Sequence, residues 1–173
     1  QIDGTVNGDV IAFGSVVRVN GSVGGSLVTA AQTILIDGDV AGSVYAGSST
    51  LTLDSKADVG RNLYYGGFNL TTKEGSLIGQ DLLVGAYQAL LSGEVDRDLR
   101  AGIGALEING TIGNDVIAEV AGPSEDRRPF YFSSPPGVET VVPSGLRISE
   151  EAVIGGSLTY KSSESQADTI AIS

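Results

Sequence analysis

A repeat constrains this chain more tightly than any other feature. Residues 4–10 (GTVNGDV), 21–27 (GSVGGSL), 38–44 (GDVAGSV), 93–99 (GEVDRDL) and 110–116 (GTIGNDV) align without gaps, and looser copies end at Leu63, Leu82 and Leu158. The first apolar anchor of each copy is Val6, Val23, Val40, Val59, Ile78, Val95, Ile112 and Ile154, with steps of 17, 17, 19, 19, 17, 17 and 42 residues. A second anchor follows four residues later, from Val10 to Leu158, and a third precedes the first by four at Ile2, Val19, Ile36, Leu91 and Ile108. Three columns kept in step require that every copy occupy an equivalent place in the fold.

Around each anchor, apolar residues alternate with small or polar ones, as in Ile2-Asp3-Gly4-Thr5-Val6. Period two is that of an extended strand with its anchors on one face. The residues between the two anchors are rich in Gly and Asn (Asn7-Gly8-Asp9, Gly113-Asn114-Asp115), which tolerate left-handed backbone and so predict a corner. A unit of short strands and corners cannot bury its own apolar face. Stacked copies can, and each strand then pairs with those above and below. No copy shows a 3.6-residue period, and a propeller blade needs more than twice this length. The expected fold is therefore all-β: a single-domain parallel β-helix of about eight coils, roughly 40 Å long at ~4.8 Å per strand. The residue after each second anchor should point outward. That column reads Ile11, Val28, Tyr45, Tyr64, Leu83, Arg100, Ile117, Thr159, and its apolar members Ile11, Val28, Tyr45, Tyr64, Leu83 and Ile117 form a candidate lateral interface. The next column (Ala12, Thr29, Ala46, Tyr65, Val84, Ala101, Ala118, Tyr160) should point inward.

The repeat breaks once. All five prolines fall between residues 121 and 146, so this stretch is expected to leave the rod, dividing the chain into coils 1–120, an excursion 121–146 and resumed coils 147–173. The excursion holds Arg127, Arg128, Phe130, Tyr131 and Phe132, residue types common at recognition surfaces. It is a candidate partner loop, and equally a loop that folds back over the solenoid flank. The chain opens at Gln1 without an initiator Met or a leader, which reads as a processed chain or a fragment. It starts and stops in mid-pattern, making Ile2, Val6, Ile170 and Ile172 candidate assembly ends.

Composition removes most chemistry. The net charge of −11 argues against nucleic acid and anionic membrane as partners. Without Cys or His there is no thiolate or imidazole for zinc or for the acyltransferases and carbonic anhydrases of other β-helices. No P-loop, nucleophile elbow or calcium nonapeptide is present. One acidic column remains: Asp81, Asp98 and Asp115 stack just before the second anchors, with Arg97 beside them. It reads as a cation or sugar site of a carbohydrate-active β-helix, or as corner residues that cap local backbone N–H groups, and Asp9 in the same column far away favours the latter.

The phrases IDGTVNGDVIAFG (2–14), VNGSVGGSLV (19–28), IDGDVAGSVYAG (36–47) and INGTIGNDVIAEV (108–120) resemble the bactofilins, bacterial polymer-forming cytoskeletal proteins. The resemblance covers about residues 1–120 and 148–160, and the Pro-rich insertion departs from the compact family domain. It implies a right-handed β-helix that polymerises end to end without nucleotide. The insertion is more like longer relatives with membrane segments outside the solenoid, which favours the cell envelope or extracytoplasmic face over the cytoplasm. The expectation is a non-enzymatic scaffold without cofactors, whose partner is itself, as homo-oligomer or filament. The alternatives are an envelope binding module that displays residues 121–146 and, more weakly, the carbohydrate-active enzyme.

Overall fold

A computed structural model describes residues 1–122, 141–165 and 167–170. It is the expected parallel β-helix. Two-residue strands, from Thr5–Val6 to Val153–Ile154, form an eight-stranded sheet in which each pairs with its equivalents in the adjacent copies. The long strands form a second, nine-stranded sheet, again parallel throughout. Both sheets keep the register of the sequence repeat, so Val23 lies on Val40 and Leu27 on Val44.

The strands differ from the expected short ones. Six of them, such as Val44–Leu53 and Leu99–Ile108, run ten residues. Their ladders skip one residue near the middle (Ser49, Phe68, Tyr87, Gly104). Just beyond that residue two adjacent positions are buried, as at Ala105 and Leu106, where strict alternation would bury one. Broken alternation bends the strand, so one long strand supplies two faces of the coil and the two-residue strand the third. The pattern around the anchors marks only the ends of this strand, which is why its middle was not legible.

The interior consists of columns. Leu27, Val44, Leu63, Leu82, Leu99 and Val116 are fully buried, as are the first and third anchors of the middle coils. A further buried column, Ile34, Leu51, Leu70, Ala89, Leu106 and Leu146, follows the bend. Each large aliphatic side chain removed from water contributes roughly 1.5–3 kcal/mol. The expected inward column is also buried from Thr29 to Ala118. Within it Tyr65 turns its hydroxyl to the carbonyl oxygens of Ser48 (3.0 Å) and Asn69 (2.9 Å). Burial pushes this phenol above its ordinary pKa, with the hydrogen bonds opposing.

The corner glycines do not have the left-handed backbone expected of them. Among the described residues only Gly75 (φ 91°) and Gly145 (φ 102°) have positive φ. At the expected corner the reason for glycine is the neighbouring coil, since a Cβ on Gly113 would overlap the carbonyl oxygen of Asp96. A second corner, in the stretch between third and first anchors that read as strand, obeys the same rule. A Cβ on Gly21 would overlap the carbonyl oxygen of Gly4, one on Gly38 that of Gly21, and one on Gly110 that of Gly93. Where the same corner is two residues longer (residues 54–57, 73–76 and 149–152), its last position is Ala57, Ser76 or Ala152. There the turn closes on itself, Ala57 N–H donating to Asp54 O (2.9 Å) and Ser76 N–H to Lys73 O (3.1 Å). The extra residues lift the chain enough to admit a Cβ.

The excursion leaves at the bend. Val116–Val120 pairs as far as Ile103, and Gly145–Ile148 resumes opposite Ala105, so the chain leaves and re-enters the sheet on either side of the Gly104 level. Pairing thus resumes within the stretch 121–146. Before it, buried Val142 donates its backbone N–H to Gln88 Oε1 at 3.2 Å, so the returning chain packs on the flank two coils below. Arg127, Arg128, Phe130, Tyr131, Phe132 and Ile172 lie outside the described residues.

Candidate functional site

The acidic column is a ladder. Asp9 Oδ1 accepts the backbone N–H of Ser26 (2.7 Å), Ser26 Oγ that of Ser43 (3.2 Å), and Ser43 Oγ that of Asn62 (3.4 Å). Asn62 Oδ1 accepts from Asp81 (3.1 Å), Asp81 from Asp98 (3.3 Å), Asp98 from Asp115 (3.3 Å) and Asp115 from Ser157 (2.8 Å). Seven consecutive bonds join eight coils. The capping reading of Asp81, Asp98 and Asp115 was right in kind, but the capped N–H belongs to the next coil rather than the local turn. Any short side chain with an acceptor oxygen performs this role, which explains Asp, Ser and Asn in one column. Arg97 lies 3.5 Å from Asp81 and Arg100 3.9 Å from Asp98, both at the surface where such pairs contribute little. Among the described residues no three of His, Cys, Asp and Glu come together to hold a metal ion.

The outward column lies where the sequence placed it. Ile11, Val28, Tyr45 and Ile117 are exposed, while Tyr64 and Leu83 are half-buried in the ridge that the column forms. Tyr45 and Tyr64 stack at 4.8 Å with rings 1° from parallel, the spacing of adjacent strands. Two residues further along each strand, still on the outward face, lies what the sequence reading missed: Gly47, Gly66, Gly85 and Gly102 in four consecutive coils. They form a bare trough beside the ridge, and ridge and trough bound an open groove of about 920 Å³. The signal was there, as glycine three residues after the second anchor in four successive copies.

At the terminal coils the core columns reach the surface. Val6 is 37% exposed where its equivalent Val23 is 1%. Val10 at one end and Ile154 and Leu158 at the other are only partly buried, whereas their mid-rod equivalents are fully so. Ile2 bridges to Val19 and Ile170 to Ile148, each continuing the third-anchor column by one step.

A third feature is polar. The long corners at residues 73–76 and 149–152 flank two short ones, leaving a notch of about 510 Å³ lined by Glu74, Ser92, Asn109, Thr111, Ser149 and Glu151.

No protein-family model matches the chain, and no curated protein or solved structure does.

Proposed function

We propose that the chain is a non-enzymatic scaffold module that assembles end to end in the manner of the bactofilins it resembles. The observation that carries this reading is that every coil carries the same apolar columns and rests on the next in constant register. The coils at Val6–Val10 and Ile154–Leu158 are built from those same columns, edged by parallel strands. One end can stack on the other as one coil stacks on the next. Such a head-to-tail contact does not close on itself, so its product is a filament. The all-β solenoid, whose stability comes from coil-on-coil contact, is compatible with a structural role.

The test is negative-stain electron microscopy beside light scattering over a concentration series. The unaltered chain should give rods several times the length of one copy. Val6→Asp and Leu158→Asp should each shorten them to single rods with little change in thermal midpoint. Monodisperse single rods of the unaltered chain at high concentration would overturn the reading.

A further inference from the structure

The groove beside the tyrosine ridge has a shape that fits itself. The ridge (Tyr45, Tyr64, Leu83, Arg100) and the trough (Gly47, Gly66, Gly85, Gly102) cover the same four coils and lie two residues apart on each strand, about 7 Å. We propose that this face pairs laterally with the same face of a second copy, the two rods parallel, each copy's ridge seated in the other's trough. The pairing goes beyond end-to-end stacking and does not depend on it.

Symmetry selects the direction. When two copies meet face to face about a two-fold axis along the rods, left and right are exchanged and the coil level is kept. Tyr64 then meets the partner's Gly66, and Leu83 the partner's Gly85. An axis across the rods keeps left and right. Ridge would then meet ridge, with Tyr64 opposite the partner's Leu83, and the troughs would enclose empty space, which forfeits contact. The parallel arrangement also brings Arg100 beside the partner's Glu119, one coil on.

Charge and area agree. A protein of net charge −11 carries one carboxylate in these two columns, Glu119, paired at 3.2 Å with Lys161. Repulsion between acidic rods is therefore small on this face. The four coils of ridge and trough cover about 250 Å² per copy, and the flanking coils of the same face, where Phe13, Ala30, Glu119 and Lys161 hold the trough position, extend the footprint to about 500 Å², near the ~1,000 Å² total that a specific interface needs. The trough is open: Gly66, Gly85 and Gly102 are exposed, and a Cβ added to any of them meets nothing within 4 Å.

The chain has no cysteine, so disulfide trapping is clean. Full-length Tyr64→Cys copies mixed with Gly66→Cys copies and oxidised should give a covalent dimer of the two, because their Cβ atoms face each other at one level. End-to-end neighbours hold these positions a whole rod apart and cannot give it. A faster cross-link between Tyr64→Cys and Leu83→Cys copies would overturn the parallel geometry, and no cross-link in either mixture would overturn the pairing. The double variant Gly66→Phe, Gly85→Phe should abolish the lateral dimer in sedimentation velocity while its circular-dichroism melt stays that of the unaltered chain. A surviving dimer would also overturn the proposal.

Discussion

Two columns of glycine run along this rod, and they are glycine for opposite reasons. Gly21, Gly38 and Gly110 stand at a two-residue corner where any Cβ would overlap the carbonyl of the coil below. Gly66, Gly85 and Gly102 stand on a flat outward face where a Cβ would touch nothing. The first column is demanded by the interior of the stack. The second leaves room on the exterior, and folding alone gives it no purpose, since glycine in a strand sacrifices chain entropy and contact.

The sharpest way to break this contrast is Gly38→Ala. The obstacle is backbone, which cannot swing aside, so the expected loss is about 3 kcal/mol, at the upper end of overpacking costs. In a chain of this size that lowers the thermal midpoint by about 6–12 °C. A melt within a degree of the unaltered chain would mean that the corner relaxes as the longer one at Ala57 does.

A smaller effect is expected from the ladder between the columns. Asp98→Ala removes the acceptor of the Asp115 N–H and should cost about 1 kcal/mol by denaturant unfolding. Asp98→Asn should cost only a few tenths, because Asn62 already serves in the same column. Equal losses for both would assign the role to charge instead of hydrogen bonding.

The smallest effect has the opposite sign. Gly85→Ala should stabilise the isolated rod by about 0.5 kcal/mol, from reduced freedom of the unfolded chain and better strand propensity. A loss as large as that at Gly38 would erase the distinction between the columns.

The columns of anchors were legible because a period of two within a copy and a period of 17 between copies leave few arrangements open. The outward position of Ile11, Val28, Tyr45 and Ile117 followed from the same counting. What stayed hidden depends on neighbouring coils. Glycine at residue 38 and glycine at residue 85 look alike in a sequence, and only the backbone stacked beneath the first separates them. The Asp9-to-Ser157 column was visible, but a side chain that caps a residue 17 positions away reads locally as an ordinary turn. The course of the long strands through the bend was hidden too, because residues such as Tyr87 and Gly104 carry no common mark.

The three long corners have a bearing on how the chain finds its register. A stack of identical coils is symmetric under a shift of one step: every anchor would still meet an anchor, and every ladder oxygen an N–H. Such a chain could slip by one coil at little cost, as weakly specified strands do. The added residues at 54–57, 73–76 and 149–152, with the long insertion before Gly145, break that translational symmetry. A slip by one coil would part the two consecutive long corners, 54–57 and 73–76, which here stack on each other with Leu77 N–H donating to Ala57 O (2.9 Å). The irregular copies thus act as index marks, making one alignment of an otherwise repetitive chain distinguishable from its neighbours.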